Sequence, residues 1–103
     1  MKHLLVFAAL LGLVFCAGSA FAQDAAKGKL IYDTICTVCH GPDPKVDGPL
    51  GPAISGSSEE LLRLRVLLNK YPDGYTPKRD TKMMPPFPQY KDDIGHIHAF
   101  LNQ

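Results

Sequence analysis

Cys36-Thr37-Val38-Cys39-His40 is the stretch that decides how the rest of this chain is read. Two cysteines with two residues between them, followed at once by a histidine, form the attachment signature of a c-type haem. The spacing has a chemical reason. Each thiol adds across one haem vinyl group to give a thioether, and the adjacent His40 reaches the iron from the proximal side. Other chemistries share parts of the pattern. A thioredoxin-like dithiol uses the same cysteine pair in a βαβ setting, which this chain, with nine prolines among 103 residues, does not offer. A zinc site needs two further ligands at zinc-like spacing. The other cysteine is Cys16, and the other histidines are His3, His96 and His98, the last two at the far end and two apart. A structural metal or a disulfide remains the alternative to haem attachment.

The N-terminus reads as an export signal. Met1-Lys2-His3 gives a short positive start, Leu4 to Val14 an apolar run, and Ala20-Phe21-Ala22 a small-x-small cleavage site, with no acidic residue before Asp24. Residues 1–22 are therefore expected to be a cleaved secretory signal peptide, with the mature protein starting at Gln23. A retained membrane anchor is the competing reading, but the apolar run is short for a span once Gly18, Ser19 and Ala20 are set aside. Lipidation of Cys16 is disfavoured by the bulky Phe15 before it. Export suits the motif, because bacteria attach c-type haem outside the cytoplasm, and the periplasm is the expected location.

Residues 23–103 suffice for one domain and are too few for two. A chain this short builds a marginal core, so a covalently held haem is expected to supply missing apolar mass and the apoprotein to be largely unfolded. Eleven Lys plus Arg become ten once Lys2 is lost, against ten Asp plus Glu. That balance suggests neither nucleic acid nor an anionic membrane as partner, and leaves docking to local patches.

The motif resembles that of the class I c-type cytochromes, small haem proteins that carry one electron at a time, and further residues extend the resemblance over 24–103. It implies an all-α fold, a compact arrangement of three to four helices around one covalently attached haem c. Ala25 to Ile35 reads as the first helix, with Asp24 as N-cap and Leu30, Ile31 and Thr34 or Ile35 inward. Gly28 inside that helix costs roughly 1 kcal/mol relative to alanine. In the resembled family such a glycine, followed four residues later by an aromatic, here Tyr32, lets the C-terminal helix cross closely.

After His40 the stretch Gly41 to Pro52 has no helical or strand period and reads as a loop whose prolines restrict the unfolded chain. The family resemblance gives this loop ligand work. A proximal histidine needs an acceptor for its second ring nitrogen, and in class I cytochromes that acceptor is a proline carbonyl in a Gly-Pro-x-aliphatic-x-Gly segment twelve residues after the histidine. Gly51-Pro52-Ala53-Ile54-Ser55-Gly56 matches, making Pro52 the acceptor and Ile54 a haem-packing residue. Gly48-Pro49-Leu50 is a competing register. Ser57 and Glu60 form a capping-box pattern for a helix to about Asn69, with Leu61, Leu64 and Leu67 or Leu68 inward. Arg63, Arg65 and Lys70 read as the wetter sides of that helix.

Tyr71 to Pro77 is turn-rich, with Asp73-Gly74 its strongest signal, and Tyr75 is the residue expected to pack on the haem while its hydroxyl serves a propionate or a loop carbonyl. Lys78, Arg79 and Lys82 form a basic cluster. Met83-Met84-Pro85-Pro86-Phe87 follows. The family carries its second axial ligand as a methionine directly before proline, so Met84 is the expected thioether ligand, with Met83 as the adjacent alternative; such a ligand opposite histidine raises the potential. Lys91 to Leu101 reads as the last helix, with Asp92 and Asp93 in its first turn, Ile94, Ile97, Phe100 and Leu101 inward, and Gly95 weakening it. Phe100 is expected against Gly28 and Tyr32. His96 and His98 point to different sides of that helix, with at least one exposed.

These features imply an electron-transfer protein rather than an enzyme. It would shuttle electrons as a monomer between redox-protein donors and acceptors, docking transiently to a membrane-bound or periplasmic oxidoreductase. A subunit of a periplasmic dehydrogenase or oxidase complex is the first alternative. A haem enzyme or gas sensor with an open sixth position is the second.

Overall fold

The first helical path runs from Ala25 to His40. The computed structural model describes residues 22–103, so the expected signal peptide, Cys16 included, lies outside the described residues apart from its last position. Helix α1, Ala25–Ile31, starts at Asp24, whose carboxylate accepts the amide N–H groups of Ala26 and Lys27. The path then loosens into a π-helical stretch, Tyr32–Cys36, where the Thr37 amide bonds the Tyr32 carbonyl, and closes as α2, Thr37–His40. An inserted residue turns the face after it by about 100° relative to the face before it. Gly28, Ile31 and Tyr32 ahead of the insertion are buried, whereas Ile35, Cys36, Cys39 and His40 line a pocket.

The expected first helix is thus extended through the attachment motif, and its inward face is corrected: Leu30 is 67% exposed and Thr34 is exposed. On a 3.6-residue period the stripe set by Gly28 and Ile31 continues to Tyr32 and Ile35, and Leu30 falls on the far side.

Helix α3, Glu59–Arg63, continues into a second π-helical stretch, Leu64–Leu68, and stops at Asn69 in the left-handed conformation, φ 57°. Its cap is Ser58, whose hydroxyl accepts the Leu61 amide at 3.0 Å. Ser57 instead donates to the Ile54 carbonyl at 2.6 Å. The buried face is Leu62 and Val66, with Leu61, Leu64 and Leu67 half-buried and Leu68 56% exposed.

A short 3₁₀ turn, Pro88–Tyr90, leads into α4, Ile94–Leu101. Asp92 and Asp93 lie in the turn before α4 rather than inside it. Ile94, Ile97 and Leu101 are the buried face.

The three helical segments form a compact all-α bundle whose centre is the crossing of α1 with α4. A side chain at Gly28 would overlap the carbonyl of His96 and press on Cα of Ile97, so the two backbones touch here. One turn further, the Phe100 ring packs on Tyr32 with centroids 5.3 Å apart and planes tilted by 51°. The His96 imidazole accepts the Asp24 amide at 2.9 Å, and His98 lies 3.3 Å from the Gln23 side-chain oxygen. Both histidines are half-buried ties between the ends of the domain.

Candidate haem site

The pocket beside the crossing is assembled by three irregular or helix-ending pieces of chain. A helix that stops leaves its last carbonyls without intrahelical donors, and α2 stops at His40. Gly41, at φ 81°, turns the chain away in a conformation that favours glycine. The loop then returns, and the amides of Leu50 and Gly51 donate to the Cys39 carbonyl at 3.1 and 2.8 Å. The buried Tyr32 hydroxyl donates to the Gly41 carbonyl at 2.6 Å. Burial, followed by the charges of Cys36, Asp43 and Asp33, pushes that hydroxyl up to about 12.

This return lays residues 51 and 52 over the imidazole. His40 is 9% exposed, and its Nδ1 donates to the Pro52 carbonyl at 2.8 Å. A carbonyl only accepts, so Nδ1 carries the hydrogen and Nε2 of the neutral ring keeps its lone pair for a metal. Pro52 provides the contact, not Pro49 of the competing register. A Cβ on Gly51 would stand 2.6 Å from His40 Cε1 and 2.7 Å from Nδ1, so the loop rests directly on the ring. The sequence reading placed Gly51 in a segment but missed this contact, for which glycine after Gly-Pro-Leu was the available signal.

Cys36 and Cys39 are free and half-buried on the same wall. Burial, with Cys39 second, pushes the Cys36 thiol up to about 11. No cluster of three or more His, Cys, Asp or Glu side chains suited to a metal ion occurs among the described residues. Ile54 lines the pocket and packs against the core; Met84 does the same from the segment before Phe87, while Met83 lines the pocket edge and is 62% exposed. The Phe87 amide donates to the Val66 carbonyl at 2.6 Å, which fixes the far end of that segment.

Tyr75 also lines the pocket, stacked on Tyr71 at 5.4 Å between centroids and 9° between planes, and the Arg65 guanidinium lies 4.2 Å from the Tyr71 ring centre. Arg65 is therefore half-buried at the pocket mouth rather than on a wetter helix side. The basic cluster is also changed in character. Lys78 donates to the Ala53 carbonyl at 2.8 Å, and Arg79 pairs with Asp47 at 2.9 Å; of the three cations only Lys82 has no such contact to this loop. Asp47 went unremarked in the sequence, since no spacing rule links an aspartate to a backbone amide six residues on and an arginine 32 residues on.

The donor set fits a c-type haem: a paired thiol wall, a histidine with Nε2 left free, an apolar lining, and a thioether in one pocket. The cytochrome c family model matches residues 25–103. A cytochrome c-553-like protein of Synechocystis is 29% identical over 83 residues, 81% of this chain and 69% of that protein. Cytochrome c-555 of Chlorobaculum tepidum is 34% identical over 82 residues, 79% of this chain and 73% of its own length. Cytochrome c-554(547) of Halothiobacillus neapolitanus is 34% identical over 59 residues, 57% of this chain and 64% of that protein. No solved structure gives a significant match. With the match spanning every described helix, the chain belongs to the cytochrome c family.

Proposed function

We propose that this protein is a class I cytochrome c that carries single electrons in the periplasm, with residues 1–22 removed on export and one haem c held covalently by Cys36 and Cys39. The observation that carries the reading is the 2.8 Å bond from His40 Nδ1 to the Pro52 carbonyl, which leaves Nε2 as the ligand atom in a pocket that also contains both thiols. The haem, when bound, supplies a one-electron ferric/ferrous couple.

The residues supply the rest. Pro52 holds the His40 tautomer and ring angle and strengthens it as a donor. Met84, half-buried and packed on the core, is better placed for a lasting bond than the exposed Met83. Its soft, neutral sulfur favours the reduced metal. With His40 and Met84 both holding the iron, no position would stay open to oxygen, and little rearrangement would accompany electron transfer. Ile54 and the leucine face of α3 exclude water, and Tyr75 offers its hydroxyl at the pocket mouth. Redox proteins are the partners, met by a monomer at the exposed edge of the pocket.

The test is the optical spectrum of protein matured with haem in a periplasm, oxidised and reduced, for wild type and Met84→Ala. Wild type is expected to show the weak long-wavelength band that methionine sulfur gives ferric haem, and Met84→Ala to lose it and to bind carbon monoxide when reduced. A band that survives in Met84→Ala assigns the ligand elsewhere. A wild type without the band that binds carbon monoxide makes the protein an enzyme or sensor.

A further inference from the structure

The segment carrying Met84 is pinned at both ends. At Phe87 the pin is the backbone bond to Val66. At Arg79 it is a three-bond cluster around one carboxylate and the backbone of one residue, Ala53. Asp47 Oδ1 accepts the Ala53 amide at 2.8 Å, Asp47 Oδ2 accepts Arg79 at 2.9 Å, and Lys78 donates to the Ala53 carbonyl at 2.8 Å. Ala53 is thus gripped at both its N–H and its C=O, immediately after the Pro52 carbonyl that supports His40.

We propose that Asp47 and Arg79 form a positioning clasp that fastens the Met84 segment to the loop supporting His40 and so governs how readily the sulfur is displaced. The inference rests on the axial ligation proposed above. Between Arg79 and Met84 the chain has no regular hydrogen-bonded structure and is exposed up to Met83, so its reach is set by its anchors. Five extended residues span at most about 17 Å. With the Arg79 anchor in place Met84 stays within that reach of the proximal loop, and without it the Lys78 bond to the Ala53 carbonyl is the tie left at that end. An isolated exposed ion pair has a small effect. Here the aspartate also orders a loop amide, so one side chain's ordering serves two bonds.

The test uses holoprotein and imidazole as the probe, which competes with the sulfur for the iron. Titration is followed by loss of the long-wavelength band in wild type, Asp47→Asn, Arg79→Ala and the double variant, at low and high salt, beside thermal unfolding of each. Asp47→Asn retains an acceptor for Ala53 and removes only the charge. Each single variant is expected to bind imidazole about threefold more tightly, the size an exposed ion pair supports. The double variant should be no tighter than either single, and high salt should bring wild type towards the variants. Equal affinities in all four, or additive effects in the double variant, would overturn the clasp while leaving Met84 ligation standing. A wild type that has no such band to lose overturns the ligation and the clasp together.

Discussion

The crossing of α1 with α4 and the loop-and-strap side of the pocket are held by different forces. At the crossing, Tyr32, Ile94, Ile97 and Leu101 are essentially removed from solvent and two backbones touch at Gly28. Around the pocket, segments 41–56 and 76–87 contain no regular helix, and their order comes from backbone amides, one proline carbonyl and a surface carboxylate. Apolar contact is non-directional and scales with area, so it fixes the bundle as a whole. Hydrogen bonds fix individual atoms, which is what an axial ligand requires. Substitutions at the crossing should therefore move stability, and those at the loops should move ligation.

The sharpest way to break that contrast is Gly28→Ala. Alanine is the better helix former by about 1 kcal/mol, yet its Cβ meets backbone atoms of His96 that no rotamer change can relieve. A net loss of about 2–3 kcal/mol is expected, read by denaturant unfolding of the holoprotein; a gain would mean that the helices cross with room to spare.

Tyr32→Phe probes a side chain that belongs to both regions. It keeps the ring packed on Phe100 and deletes the donor to the Gly41 carbonyl. The expected loss is about 1–2 kcal/mol. The pH dependence has a sign that can be checked. The Tyr32 hydroxyl is raised from 10.0 to about 12, so its contribution is complete below pH 10 and is lost as pH rises through 12. Tyr32→Phe should flatten that alkaline decline in unfolding midpoint, and an unaltered decline would assign it to other groups.

The smallest effect concerns the loop side. The Ala53 amide first, then Arg79, hold the Asp47 carboxyl below its ordinary 3.8. Its stabilisation is fully present above that value and is lost as pH falls through the lower folded one. Wild type and Asp47→Asn should therefore differ above this window and converge as pH falls through it, a convergence visible in the long-wavelength band before global unfolding.

The difference between the regions also explains what could be read in advance. The helical segments carried their own periodic signal, and Asp24 its own cap, so α1, α3 and α4 were legible to within a few residues. Their faces were less so. Leu30 and Leu68 fit an apolar stripe by composition yet stand in solvent: Leu30 falls on the far side of the stripe set by Gly28 and Ile31, and Leu68 lies off the face of Leu62 and Val66. The His40–Pro52 contact was legible only as a fixed twelve-residue separation. Lys78 and Arg79 read as part of a basic cluster, and their engagement with Ala53 and Asp47 depends on a partner segment folded back from far away in sequence.

By itself the sequence determined the attachment motif and the helical periods, since each is a matter of residue type at short spacing. The tertiary structure decided which leucines face inward, that Pro52 rather than Pro49 receives His40, that Met84 rather than Met83 is packed against the core, and that two of three basic side chains are already committed. Those outcomes turn on contacts between segments tens of residues apart, and no local preference carries them.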